Sequence, residues 1–428
     1  MLFERPESGE RTVILQILLD GAENPDLEEL KELAASAELQ VVQALEARRK
    51  SPHPATFIGS GKVQELRDLL KMCRADLLLV NRELSTGQQR NLEKQTGCRV
   101  ISRTELILTI FAARARSHEG QLQVELAQLK HAQTRLVRGW THLDRQKGGI
   151  GMRGAGEKQI ELDQRMISER IKVTERKLAT VERRRSQNRR ARDRKGTPTV
   201  ALVGYTNAGK STLFNRLSDA DVYAEDQLFA TLDPTMRKIS VSGLNDVVLV
   251  DTVGFVSQLP HALVEAFKAT LEEVAYADLL LHVVDASDPL AAERIDQVQA
   301  VLNEIGAQEV PQLVVYNKID LLEGEWPREL PECAGEPVSA VTGAGLEQLS
   351  EKIGDHLGVE APHEVILPVT DGKTRAWLYR SGAVLDETTL ENGDLQLILQ
   401  ADELVIRKLE QDPAVLLRRS QAVPKIAT

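Results

Sequence analysis

The sequence predicts a multidomain α/β protein: a small α/β domain carrying a long helical hairpin, a second and larger α/β domain, and a small α+β C-terminal module. Three observations predict it. The chain of 428 residues exceeds a single typical core and suggests about two to four domains. Apolar runs alternate with helical spacing on both sides of a basic stretch. Two junctions, Gly196-Thr197-Pro198 and Ala361-Pro362, interrupt the pattern. The expected divisions are therefore 1–112, 113–196, 197–358 and 359–428.

In the first division, Thr12 to Ile17 reads as a strand. Pro25 to Ala37 reads as a helix with Asn24 as its candidate cap. Leu39 to Leu45 is strand-like, Gly61 to Met72 has helical spacing, and Asp76 to Val80 is a buried strand. Ser85 to Gln95 is a helix that Gly97 stops. This βαβα order predicts a small parallel sheet covered by helices.

The second division changes character. Leu122, Leu126, Leu129, Gln133, Leu136 and Trp140 recur at steps of four and three, and so do Ile167, Ile171, Thr174, Leu178 and Val181. Two such seams predict an antiparallel helical hairpin. Between them Lys147 to Lys158 holds five glycines, too many for a stable helix. A plain turn needs about two to eight residues. This stretch is longer and carries Arg153 and Lys158, so it reads as a loop that brings amides and cations close to phosphates; a flexible turn is the plainer alternative.

Charge supports a polyanion partner. Arg114 to Lys195 contains 22 Lys/Arg against 10 Asp/Glu, a surplus of +12 in a chain of net charge −10, so the remainder carries −22. An acidic remainder limits indiscriminate binding and leaves one basic element to find phosphates. The competing reading is a solvated coiled coil used for dimerisation, with which the polar seam residues Gln133 and Thr174 are compatible; the expectation here is a monomer.

Other classes recede. No apolar run approaches the roughly 18 residues of a membrane span. Met1 to Glu10 is polar and lacks the apolar core of a signal peptide, so a cytoplasmic location without membrane insertion is expected. Cys73, Cys98 and Cys333 form no Cys-x-x-Cys pair and read as free thiols, with no zinc site.

The chemistry gathers in the third division. Gly204-Tyr205-Thr206-Asn207-Ala208-Gly209-Lys210-Ser211 fits the phosphate-loop pattern G-x-x-x-x-G-K-[ST]. The strand-like Thr199 to Val203 precedes it, and the helix-like Ser211 to Leu217, with Thr212, follows. Such a turn aims several N–H groups and a helix N-terminus at one anion. Lys210 can then reach the β- and γ-phosphates, and Ser211 can ligate Mg²⁺.

Asn317-Lys318-Ile319-Asp320 ends the strand-like run Gln312 to Tyr316, where α/β sheets bind ligands. Asp320 can accept from guanine N1 and N2, whereas adenine would leave its carboxylate unpaired at a cost of about 1–3 kcal/mol. Asn317 would brace the phosphate loop, and the Lys318 stem would lie on the base. Asp251-Thr252-Val253-Gly254 follows a third buried run, Asp246 to Val250. Asp251 would hold Mg²⁺ through water, and the Gly254 N–H would meet the γ-phosphate. Within Phe229-Ala230-Thr231-Leu232-Asp233-Pro234-Thr235, Thr231 is the favoured hydroxyl to complete the Mg²⁺ shell and Thr235 its competitor. Ser339-Ala340-Val341 would present the Ala340 N–H to guanine O6. Lys210, Thr231 and Gly254 are the candidate catalytic groups.

In the last division Val365 to Val369 and Leu395 to Leu399 are strand-like, with a helix or strand near Trp377.

Five nucleotide elements in this order resemble the translation-factor-related GTPases. Asn207, the Phe-Ala-Thr-Leu-Asp-Pro run and Asp-Thr-Val-Gly-Phe resemble the HflX family, close to the Obg group. The Gly148–Gly156 loop followed by Glu-Lys-Gln-Ile-Glu-Leu-Asp resembles HflX specifically. The resemblance implies a GTPase that binds GTP and GDP with Mg²⁺, and a K⁺ ion near the phosphates supported by Asn207. It also implies binding to the large (50S) ribosomal subunit and its rRNA, with a role in splitting or rescue of ribosomes. Rival readings are an Obg-like ribosome-assembly GTPase and a nucleotide-gated RNA-binding module. Where many GTPases place Gln after the Asp-x-x-Gly glycine, this sequence has Phe255, which neither orients water nor stabilises charge. Slow intrinsic hydrolysis that rises on the ribosome is the expectation.

Overall fold

A computed structural model describes residues 8–21, 24, 26–139, 155–193, 197–218, 228–229, 232, 234–241, 244–257, 273–322, 326–327, 330, 335–357, 363–381, 384–390, 392–399, 401, 403–410, 412 and 415–419. The chain is a multidomain α/β protein. It forms two compact units: Met1–Gln187 with Glu225–Asp233 and Val253–Thr270, and Asn188–Ala224 with Pro234–Thr252 and Leu271–Thr428.

The first unit opens with β1 (Arg11–Leu19), α1 (Leu27–Ser36), β2 (Gln40–Arg49), α2 (Ser60–Cys73), β3 (Leu77–Val80), α3 (Thr86–Thr96), β4 (Arg99–Ser102) and α4 (Arg103–Arg114). The strands form one parallel sheet in the order β2-β1-β3-β4. Its core runs through Val13, Leu15 and Ile17 of β1 against Leu66 and Leu70 of α2. Asp26 rather than Asn24 caps α1, accepting from the Glu28 N–H. The helix starts too late for Asn24, whose side-chain oxygen instead accepts from the Leu19 N–H at 2.8 Å and ties the turn after β1. Gly97 does end α3, in a left-handed conformation at φ 71°. Sequence reading passed over β4 and α4; the Ser102-Arg103-Thr104-Glu105 capping box marks their junction.

The hairpin is α5 (His118–Gly139) and α6 (Ala155–Asp193). It runs antiparallel, with Glu119 meeting Arg185 at one end and Gln133 meeting Ser168 further along. Leu122, Leu126 and Leu129 pack on Ile167, Ile171 and Leu178, as the spacing predicts. Trp140 and the glycine stretch through Gly154 lie outside the described residues. That loop is shorter than expected, because Gly156 to Lys158 are already helical. In a first turn a glycine breaks no established hydrogen-bond ladder, and an acidic residue there favours the helix.

The second unit holds β5 (Thr199–Gly204), α7 (Lys210–Ser218), β6 (Thr235–Val241), β7 (Leu244–Asp251), β8 (Leu279–Asp285), α8 (Ala291–Glu304), β9 (Gln312–Asn317), β10 (Glu336–Pro337) and α9 (Leu346–His356). They make a six-stranded sheet, order β10-β9-β8-β5-β7-β6, parallel except for β6. Strands β5, β7 and β8 are consecutive in the parallel part, yet β7 and β8 flank β5 on opposite sides. The crevice at the carboxyl end of β5 is therefore the switch point where such sheets take ligands.

The tail folds as β11 (His363–Leu367), α10 (Gly372–Ser381), β12 (Val384–Thr389), β13 (Leu395–Leu399), α11 (Glu403–Glu410) and β14 (Leu416–Arg419). The segment at Trp377 is helical. This βαββαβ chain builds an antiparallel sheet in the order β12-β13-β11-β14, the ferredoxin-like plait. Val365, Leu367, Leu397 and Leu399 line its core, so the alternate Glu364, Ile366, Gln396 and Ile398 face the other way. None of those four is aromatic, unlike the base-stacking residues of RNA-recognition sheets with this topology.

Cys73 and Cys98 are free, and burial pushes the Cys98 thiol up to about 11, which keeps it unreactive. Cys333 lies outside the described residues. No helix among the described residues is long and apolar enough to cross a membrane.

Candidate nucleotide site

The phosphate loop grows out of β5, which is buried along its whole length. Two glycines are needed by close approach. A Cβ on Gly204, at φ 148°, would stand 2.2 Å from the Val283 carbonyl oxygen. One on Gly209, at φ 87°, would stand 2.2 Å from Asn317 Nδ2. Asn207 also adopts a left-handed backbone, φ 62°, a conformation that asparagine tolerates better than most residues. Tyr205, Thr206 and Ala208 are buried, and Thr212 is half-buried in the first turn of α7.

Lys210 turns back over this loop, donating to the Gly204 and Tyr205 carbonyls at 3.1 and 2.6 Å. Burial pushes its ammonium down to about 8, partly offset by the nearby Asp251 carboxylate. Asp251 ends β7 fully buried, and the Ser211 hydroxyl donates to its Oδ2 at 2.8 Å. The donors expected for Mg²⁺ thus converge as two oxygens, a hydroxyl and a carboxylate. That set fits a hard cation that completes its shell with water and phosphate. The adjacent Thr252 is structural in this arrangement, its hydroxyl donating to the Leu202 carbonyl at 2.6 Å.

The elements expected to read the base join the same loop. Asn317 is 2% exposed; its Nδ2 donates to the Ala208 carbonyl at 2.9 Å and its Oδ1 accepts from the Ala340 N–H at 3.0 Å. The Ala340 amide, expected at guanine O6, therefore reaches the base only by sharing or exchanging that bond. Lys318 adopts φ 66° and its ammonium pairs with Asp285 at 2.7 Å. Ile319 opens a short 3-10 turn containing Asp320, whose Oδ1 accepts from the Ser339 hydroxyl at 2.5 Å. Val341 is exposed.

The remaining predicted residues divide. Ala230, Thr231 and Asp233 lie outside the described residues. Thr235 begins β6 directly opposite Asp251. Phe229, Leu232, Val253, Gly254 and Phe255 are buried and are described with the first unit. Phe229 meets Phe111 of α4 edge-on, ring centres 4.5 Å apart.

Sequence reading missed three neighbours. Asp285 ends the apolar run of β8 as Asp251 ends that of β7, so a strand closed by Asp at the carboxyl edge was a readable signal. Arg294 of α8 lies over the Tyr205 ring at 4.6 Å and pairs with Asp288. His282 of β8 is buried, and burial followed by Lys210 pushes its imidazole down to about 4, so it stays neutral. Its Nδ1 and the Thr206 hydroxyl are buried without a hydrogen-bond partner, and both residues line one recess behind the phosphate loop.

Known proteins match along nearly the whole chain. Residues 24–112 match a family described as GTP-binding GTPase N-terminal, residues 114–192 its middle region, and residues 199–318 a family described as 50S ribosome-binding GTPase. The chain is 49% identical to the GTPase HflX of Escherichia coli K12 over 97% of its own length and 99% of the relative. It is 47% identical to the GTPase HflX of Magnetococcus marinus over 96% of each. Among solved structures, a GTP-binding protein of Sulfolobus solfataricus in complex with GDP is 26% identical, at a TM-score of 0.43 over 81% of this chain and 98% of that one. Identity of this order over nearly the full length makes the chain a GTP-hydrolysing member of the HflX family of GTPases.

Proposed function

We propose that this GTPase binds the large ribosomal subunit in its GTP state and leaves after hydrolysis, acting in ribosome splitting or rescue or in biogenesis. The observation that carries the reading is the +12 surplus on Arg114 to Lys195, borne by a helical hairpin in a chain that is otherwise acidic. Cations there release counterions from RNA phosphates, which gives strong but salt-sensitive binding. The match of residues 199–318 to a family described as 50S ribosome-binding GTPase supports the same partner. We assign the hairpin to residues 113–196, between an N-terminal domain at 1–112 and a GTPase domain at 197–358; 359–428 is the plait. Work as a monomer in the cytoplasm is part of this proposal.

In the mechanism, the amides of Gly204 to Ser211 and the Lys210 ammonium grip the phosphates. Lys210 exchanges its carbonyl partners for phosphate oxygens, and Asp320 selects guanine. Ser211, Asp251 and Thr231 would hold Mg²⁺, which neutralises phosphate charge when bound. Asn207 would support K⁺. The Gly254 amide, three residues beyond Asp251, and Thr231 would sense the third phosphate. Phe255 is buried at 2% exposure and offers no water-orienting group, so the ribosome must complete the site. Cosedimentation with separated subunits tests the proposal. Pelleting with the large subunit is expected with a non-hydrolysable GTP analogue and not with GDP; equal pelleting under both refutes it.

A further inference from the structure

We propose that Asp285 is a positioning residue for base recognition: by anchoring the Lys318 ammonium it keeps that cation off the Asp320 carboxylate, which stays free to accept from guanine. This rests on the reading above that Asp320 selects guanine. Every residue involved belongs to the second unit, within Leu271–Thr428.

Asp285 ends β8 beside Asn317, the last residue of β9, and the Ala286 N–H donates to the Asn317 carbonyl at 2.9 Å. The Asp285 carboxylate divides between two partners. Oδ1 accepts from the Ser287 N–H at 2.9 Å and from the Ser287 hydroxyl at 2.6 Å, which fixes the side chain at the strand end. Oδ2 takes the Lys318 ammonium at 2.7 Å. The Asp285 and Lys318 side chains are 16 and 23% exposed, so water screens the pair only in part. Lys318 has a left-handed backbone, φ 66°, and caps the 3-10 turn Ile319–Leu321.

Asp320 sits in that turn, two residues from Lys318. Its Oδ1 accepts from the Ser339 hydroxyl, its Oδ2 has no hydrogen-bond partner among the described residues, and the residue is exposed. Such a carboxylate attracts any cation within reach, and a lysine has a long, flexible stem. Lys318 on Asp320 would cover the acceptor that guanine N1 and N2 need. It would also cancel the charge that strengthens those bonds. Asp285 competes successfully for Lys318 because it is more shielded from water and already oriented by Ser287, so less attraction is lost to screening and less order must be imposed. The Asn-Lys-x-Asp pattern places a cation beside its own acceptor, and the aspartate closing the neighbouring strand draws that cation away.

The test measures GDP and IDP affinities of the full chain by calorimetry; IDP lacks the guanine N2 amino group. Asp285→Asn keeps an acceptor for Ser287 and removes the charge that holds Lys318. It is expected to weaken GDP about tenfold and to lower the GDP-to-IDP affinity ratio about fivefold, because guanine loses two bonds at Asp320 and hypoxanthine one. Adding Lys318→Met, which keeps an unbranched stem without charge, is expected to return the ratio to the wild-type value. A merely structural pair predicts the reverse, with the second substitution unable to restore the ratio. A wild-type ratio in Asp285→Asn, or a ratio that stays low in the double variant, overturns the inference. Asp285→Ser, also uncharged, takes the place of Asp285→Asn if that variant does not fold. Asp320→Asn separates the two levels. A wild-type ratio there refutes the reading of Asp320 itself. A collapsed ratio there, beside a wild-type ratio in Asp285→Asn, refutes only the role of Asp285.

Discussion

Nucleotide binding should draw a proton from solution, and Lys210 should be where it goes. Buried against Gly204 and Tyr205, its ammonium titrates at about 8 rather than 10.5. A bound phosphate restores the charged form. With a free-state value near 8, about a tenth of a proton is taken up on binding at pH 7, about half at pH 8 and about three-quarters at pH 8.5. Affinity for GDP accordingly weakens as pH rises through 8. Calorimetry in buffers of different ionisation enthalpy reads the uptake directly. Lys210→Arg keeps a permanent charge, so its uptake should be near zero at each pH. Uptake that does not change between pH 7 and 8.5, or that survives in Lys210→Arg, refutes the reasoning. The same shift has a stability signature in the protein without nucleotide. Lys210 binds its proton less tightly folded than unfolded, so its contribution to stability rises with pH between about 8 and 10.5, by about 3 kcal/mol in all.

Asp320→Asn replaces an acceptor with a group that also donates; it should weaken GTP by about 1–3 kcal/mol and improve binding of xanthosine nucleotides, measured by competition titration. Gly209→Ala should abolish nucleotide binding, since its Cβ would collide with Asn317 Nδ2, and a retained micromolar affinity would contradict the geometry. Leu129→Ala, fully buried in the hairpin seam, should cost about 2–5 kcal/mol in urea unfolding, whereas a loss below 1 kcal/mol would mean the seam is loosely packed. Single-turnover hydrolysis should accelerate sharply on large subunits, and equal rates with and without them would assign water positioning to this chain alone.

The fold around the proposed nucleotide site was legible because each part is local: a strand, a short pattern and a helix are adjacent in sequence, and their order sets where they meet. The hairpin was legible because Leu122 to Leu136 and Ile167 to Leu178 repeat with one period. The glycine loop was overextended because composition does not distinguish Gly156 in a first helical turn from Gly154 in a loop. Strand β4 escaped because it is only four residues long and its last three are all buried, which leaves no period to read. The hydrogen bonds that Ser257 makes with Arg103 and Glu29 had no local signature at all. Its partners are 154 and 228 residues away, and nothing around Arg103 or Glu29 in sequence points to them. His282 sits inside an apolar run whose neighbours only the sheet order reveals.

The bond from Asn317 Nδ2 to the Ala208 carbonyl joins the groups proposed to grip polyphosphate to the groups proposed to read the base. A ligand fragment engaging one half helps to order the other. Guanosine alone and pyrophosphate alone should therefore bind with summed free energies smaller than that of intact GDP, and each fragment should tighten the other. A chemist designing an inhibitor against this site would gain more by linking two weak halves than by refining either.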